Sequence, residues 1–122
     1  MALVRIVNAF YAALFLVMAL VCIAFLNASL HDRAGGPVNI WVSIGWAALF
    51  FLYAALAFFN MRGAGSDGPA DRLIALNIAA AVPMIAGLFA ADPAGRFLCG
   101  VAAIPFALSA ALFLAKRRGN PA

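Results

Sequence analysis

The sequence predicts an all-α membrane protein: a four-transmembrane-helix bundle that runs up-down-up-down, with both termini in the cytoplasm. The composition leads to this fold class first. Of the 122 residues, 68% are hydrophobic and 10% are charged, whereas a soluble domain carries roughly 45–50% apolar and about 25% charged residues. So little polar surface cannot cover an apolar core in water. Disorder and a disulfide scaffold are also excluded, because the chain is strongly apolar and has only two cysteines.

The second observation is a set of four uninterrupted apolar runs that contain no Asp, Glu, Lys, Arg or His. These runs are Ile6–Leu26, Ile40–Phe59, Leu73–Ala91 and Phe97–Ala115. As helices they are each about 28–32 Å long at about 1.5 Å per residue, which is the thickness of the hydrocarbon core of a bilayer. With their flanking residues they predict helices at 3–28, 39–60, 71–91 and 94–116, within one integral membrane domain that covers residues 1–122.

Local signals support each element in turn. The first run is longer than the roughly 7–15 apolar residues of a signal peptide, so we expect a retained helix. The second run lies between a polar segment, 27–39, and a glycine-rich segment, 60–72. The fourth helix should begin almost directly after the third, because Asp92 followed by Pro93 is typical of a helix N-cap and first position.

The basic residues predict the orientation. Six of the eight Lys and Arg residues fall on the side of the termini and the 60–72 loop; they are Arg5, Arg62, Arg72, Lys116, Arg117 and Arg118. The positive-inside rule therefore predicts that both termini lie in the cytoplasm. The membrane we expect is the plasma (inner) membrane. The basic tail is read as the anchor of helix 4 rather than as a site for anionic lipid, since lipid-binding clusters usually have four to eight charges. The sequence has no interleaving of aromatic and basic residues that would indicate binding to nucleic acid.

Chemistry that depends on ionisable groups is not predicted, because none lies within a span. An ion-coupled pump normally needs a buried carboxylate, and a haem or metal site needs ligands. The sole histidine, His31, falls in the polar segment between helices 1 and 2 and is expected to be solvated. We therefore expect a non-enzymatic protein without a cofactor or a metal.

Five uncharged polar residues of the spans share one depth. They are Asn8, Tyr11, Tyr53, Asn77 and Ser109. With the predicted topology, all five fall in the cytoplasmic half, where they could line a polar vestibule that opens inward. The alternative, which we favour, is that each one forms a hydrogen bond to a neighbouring helix, typically worth about 0.6 kcal/mol.

Cys22 and Cys99 also share a depth, close to the outer surface, where an oxidising compartment would permit a disulfide. The default expectation is two inert buried thiols, since cysteine is among the most buried residue types.

Small residues recur at every fourth position in helices 3 and 4 and predict close helix packing. We call these two series of small residues ridges. The helix 3 ridge is Ala75, Ala79, Gly87 and Ala91, with Pro83 at the position between Ala79 and Gly87. The helix 4 ridge is Gly95, Ala103, Ala107 and Ala111, with Cys99 at the position between Gly95 and Ala103. The two ridges could face each other, or one of them could face a partner chain. Pro83 and Pro105 lie in the middle of their helices and are expected to kink them.

These patterns favour an accessory or scaffolding subunit of a membrane complex. Its partners would be the lipid bilayer and either other membrane proteins or further copies of the chain. The alternatives are a small transporter or channel with the cytoplasmic vestibule described above, and a holin-like pore former suggested by small size and the basic tail.

Overall fold

The computed structural model describes residues 1–32, 37–66, 70–90 and 92–119, and these residues form four α-helices. The helices are α1 (Ala2–Asp32), α2 (Pro37–Ala64), α3 (Asp71–Ala90) and α4 (Pro93–Gly119). Each is long and apolar enough to span a membrane. The predicted all-helical fold with four helices of membrane-spanning length is therefore confirmed.

Helices α1 and α2 extend further than the sequence suggests. We predicted that α2 would end at Asn60, but it continues to Ala64. A single polar residue does not terminate a helix, and the end comes where glycines begin. There the N–H of Gly65 donates to the carbonyl of Arg62 at 3.2 Å in a turn. As a result, Asn60 belongs to a membrane-spanning helix and not to a loop.

The start of α4 confirms the predicted cap. Pro93 occupies the first helical position, and the Oδ1 atom of Asp92 accepts a hydrogen bond from the N–H of Gly95 at 2.9 Å. This bond satisfies one of the N–H groups that a helix leaves without a partner in its first turn. Ala91, the last residue of the predicted helix 3, lies outside the described residues.

The helices associate mainly as two pairs, α1 with α2 and α3 with α4. Contacts between the pairs are fewer and join α4 to α1 and α2, and α2 to α3. Both mid-helix prolines lie within continuous helices, Pro83 in α3 and Pro105 in α4.

The buried side chains of all four helices fall into three layers along the bundle. The end layer is an apolar cluster formed by Val4, Ala64, Ile74 and Phe113. The polar layer follows, with one uncharged polar residue from each helix: Asn8, Asn60, Asn77 and Ser109. The aromatic layer comes next and comprises Tyr11, Phe15, Tyr53 and Phe106, packed with Ala80, Ala81, Met84 and Ala103.

Helical periodicity produces these layers. In α2 the buried positions Tyr53, Ala57, Asn60 and Ala64 are separated by four, three and four residues, the spacing that keeps side chains on one face of a helix. The same spacing places the buried positions of α1 on one face. The polar residues are therefore embedded within apolar stripes that face the inside of the bundle.

The outer surface is strongly apolar. Phe89, Phe97 and Trp41 are each more than 70% exposed. Large apolar patches of this kind are rare on soluble monomers, and lipid chains would cover them without cost.

Candidate functional site

The polar layer is the strongest candidate for a built site, because it gathers one buried polar side chain from each of the four helices. The side chains of Asn8, Asn60, Asn77 and Ser109 are all fully buried. Burial of an amide without a partner would cost several kcal/mol in hydrocarbon. The positions of their hydrogen-bond partners therefore determine what the layer can do.

Asn60 and Asn77 form a reciprocal amide pair between α2 and α3. Each Nδ2 atom donates to the Oδ1 atom of the other residue, and both bonds are 2.7 Å long. The second Nδ2 hydrogen of Asn77 goes to the backbone carbonyl of Leu73 at 2.6 Å. This pair is a direct polar link between the two helix pairs.

Asn8 continues the network into α1 and α4. Its Oδ1 atom accepts from the Nδ2 atom of Asn60 at 3.0 Å. Its own Nδ2 atom donates to the Ser109 hydroxyl at 2.7 Å and to the carbonyl of Val4 at 2.8 Å. All six amide hydrogens of the three asparagines thus have acceptors, and no buried polar side-chain atom among the described residues lacks a partner.

The chemistry of this layer is that of neutral hydrogen bonds. Amides and a hydroxyl do not titrate near neutral pH, so they provide neither an acid nor a base. Within the described ranges, no group of three or more His, Cys, Asp or Glu residues could hold a metal ion. With every amide hydrogen in use, the layer joins the four helices and fixes their register.

Tyr53 makes a separate polar contact in the aromatic layer. Its hydroxyl donates to the carbonyl of Ala80 at 2.8 Å. Pro83 has no N–H, so the carbonyl of Ala79, four residues earlier and next to Ala80, lacks its helical donor. The tyrosine therefore reaches α3 beside the site that the proline disrupts.

An apolar cavity of about 440 Å³ lies on the far side of the aromatic layer, between the two helix pairs. Its lining includes Tyr11, Phe15 and Tyr53 of the aromatic layer, and Asp92 and Gly95 at the start of α4. Most of the wall between them is formed by apolar side chains of α1, α2 and α4. The polar layer does not border this cavity.

The structure divides the five residues of the predicted vestibule into two groups. Asn8, Asn77 and Ser109 converge in the polar layer, whereas Tyr11 and Tyr53 lie in the aromatic layer and border the apolar cavity. Sequence reasoning missed Asn60, since it placed this residue at the boundary between helix 2 and the 60–72 segment. Its position seven residues after Tyr53, on the same helix face, was the signal that could have identified it.

The small-residue ridges of α3 and α4 meet over only part of their length. A Cβ atom on Gly87 would lie 2.5 Å from the Sγ atom of Cys99, so the two helices approach closely there. Ala103 is also buried, and Gly95 is half-buried. The remaining described alanines of the ridges are exposed: Ala75, Ala79, Ala107 and Ala111. Larger residues, such as Met84 and Phe106, fill the rest of the bundle interior instead.

Both cysteines are free thiols in the structure, so the disulfide that the sequence would permit is not formed. The Cys99 side chain packs against Gly87 of α3. The side chains of His31 and Asp32 lie outside the described part of the structure, as does Arg33.

Comparison with protein-family models, with curated proteins and with solved structures finds no match to this chain.

Proposed function

We propose that the protein is a non-enzymatic accessory or scaffolding subunit of a membrane complex. The observation that carries this proposal is the polar layer, in which the buried polar side chains of the four helices hydrogen-bond to one another. The apolar end layer covers one side of it and the aromatic layer covers the other. Polar groups that are enclosed in this way stabilise a rigid bundle and are not accessible for binding an ion or a solute.

The small-transporter alternative requires these same groups to face a water-filled path. Their complete burial argues against that role. The holin-like alternative has only small size and the basic tail in its favour. The absence of ionisable residues from the four apolar runs is a further argument for a scaffold over a coupled carrier or an enzyme.

In this proposal the helices run up-down-up-down across the plasma (inner) membrane, with both termini in the cytoplasm. Two contacts support the proposed clustering of basic residues at one end. Lys116 Nζ donates to the carbonyl of Ser66 at 3.0 Å, and Arg117 lies 3.0 Å from Asp71. The basic tail of α4 thus contacts the connection between α2 and α3. Reporter fusions at residue 66 and at both termini should all read as cytoplasmic, and an external signal from any of them would contradict this topology.

The exposed part of the α3 ridge is the surface we propose for a partner helix. Ala75 and Ala79 are exposed at i and i+4, the small-xxx-small spacing that lets two membrane helices approach closely. The partner would be a helix of another membrane protein or of a second copy of this chain.

Purification of the tagged chain in a mild detergent tests this proposal. We expect it to recover a stable partner or a defined homo-oligomer, and Ala79→Leu should abolish this association while the helical content stays unchanged. The matched control is Ala48→Leu, which adds the same side chain at an exposed position of α2. A wild-type chain that is monomeric and without a partner would overturn the proposal, as would equal association of both variants.

A further inference from the structure

The apolar cavity between the helix pairs remains unexplained by a scaffolding role. Its volume of about 440 Å³ is roughly three times that of an apolar cavity of about 150 Å³ that binds benzene. It also falls within the range of about 300–1,000 Å³ that is typical of small-molecule sites. A ring system of two fused rings, or one ring with part of a hydrocarbon chain, would therefore fit.

The cavity wall is rich in aromatic rings that are nearly parallel. The rings of Trp46 and Phe50 are 5.9 Å apart at an angle of 29°, and those of Phe50 and Phe15 are 6.2 Å apart at 25°. All three residues border the cavity. Aromatic side chains favour offset-stacked or edge-to-face contacts with another ring, so an aromatic ligand gains contacts here that a saturated chain does not. The wall therefore matches a planar ligand better than a flexible saturated chain.

Tyr11 provides a polar group where the cavity borders the aromatic layer. The residue is only 8% exposed, borders the cavity, and has no hydrogen-bond partner for its hydroxyl among the described residues. No fully buried polar side-chain atom is left unpaired in that part of the chain, so this hydroxyl must reach open space. The Tyr53 hydroxyl differs because its hydrogen is already donated to Ala80. Tyr11 can thus donate a hydrogen bond to a carbonyl oxygen of a ligand.

We propose that this cavity binds a planar, carbonyl-bearing lipophilic molecule of the quinone class. The flat ring stacks against the aromatic wall, and one ring carbonyl accepts a hydrogen bond from Tyr11. Asp92 lines the cavity and is exposed at the start of α4, so a substituent of the ligand would leave the cavity at this end. This site is independent of the proposed scaffolding role, since neither the polar layer nor the exposed part of the α3 ridge borders it.

Tryptophan fluorescence provides the test, because the chain has two tryptophans and only Trp46 borders the cavity. In a Trp41→Phe background in detergent, titration with menadione should quench the Trp46 signal in a saturable way. Tyr11→Phe should weaken menadione binding about three- to tenfold, as expected for one lost hydrogen bond. Competition by 2-methylnaphthalene, which has the fused rings without the carbonyls, should require a higher concentration and should not depend on Tyr11.

Blocking the cavity gives the matched comparison. Ala102→Phe places a large side chain at the cavity wall and should abolish the saturable quenching, whereas Ala107→Phe adds the same side chain at an exposed position of α4 and should preserve it. Circular dichroism checks that both variants fold. If Ala102→Phe fails to fold, the Tyr11→Phe comparison decides. Quenching that does not saturate, or that is equal in the wild type and Tyr11→Phe, would overturn the proposal. Binding of an ester phospholipid with no binding of menadione would also overturn it, in favour of an acyl-chain site.

Discussion

Replacement of Asn60 by alanine is the most informative single perturbation of the bundle. Asn60 makes three side-chain hydrogen bonds to other helices: one to Asn8 and two to Asn77. At an average of about 0.6 kcal/mol for such a bond in a membrane protein, their loss amounts to about 2 kcal/mol. The amides of Asn8 and Asn77 would also be left with unpaired groups in an apolar interior, which adds to the cost. We therefore expect Asn60→Ala to lower the free energy of unfolding by about 2–4 kcal/mol.

Ser109→Ala provides the internal scale for this measurement. The Ser109 hydroxyl accepts a single hydrogen bond from another helix, donated by Asn8. Its replacement should therefore lower the free energy of unfolding by about 0.6–1.7 kcal/mol. Ser43→Ala is the control at a half-buried position of α2 outside the polar layer and should change the free energy by less than about 0.5 kcal/mol. Reversible unfolding in mixed detergent micelles, followed by circular dichroism, gives the three values. The reasoning fails if Asn60→Ala costs no more than Ser109→Ala.

Three further substitutions test other contacts by the same unfolding assay. Gly87→Ala should destabilise the protein by about 1–3 kcal/mol, since the added Cβ would lie 2.5 Å from the sulfur of Cys99. Adding Cys99→Ala should recover most of the lost stability, and a double variant that stays equally unstable would contradict this contact. Tyr53→Phe removes the hydrogen bond to the carbonyl of Ala80 and should cost about 0.5–1.5 kcal/mol, so an unchanged free energy would argue against that bond. Asp92→Ala removes the cap of α4 and should lower the free energy of unfolding by about 0.5–2 kcal/mol. Asp92→Asn keeps a side-chain oxygen at this position and should lower it much less.

The sequence is most informative about features that depend on one helix at a time. Composition and run length predict four membrane-spanning helices, and the pairing of Asp92 with Pro93 predicts where α4 begins. The depth of a residue along its helix can be predicted for the same reason, because each residue of a helix advances by about 1.5 Å. The prediction that Asn8, Asn77 and Ser109 share a depth depends only on this geometry, and the three side chains meet in the structure.

Features that depend on the rotation of one helix against another are not readable in this way. Asn60 was placed at the very end of helix 2 because polarity alone marked that end, although its spacing from Tyr53 puts it on the buried face. The small-residue ridges were easy to see, yet Ala75 and Ala79 are exposed while Ile74 and Asn77 point inward. In a chain this rich in alanine, a regular stripe of small residues does not identify which helix face is buried.

The central claim is that the polar layer is a closed hydrogen-bonded network. Exchange of the asparagine side-chain amide hydrogens with water, measured by NMR on the protein in detergent, tests it most directly. The account predicts that the amide hydrogens of Asn8, Asn60 and Asn77 exchange far more slowly than those of asparagine in an unstructured peptide in the same detergent. Exchange at all three residues as rapid as in the peptide would contradict the account, because it would show that water reaches the layer as it would in an open vestibule.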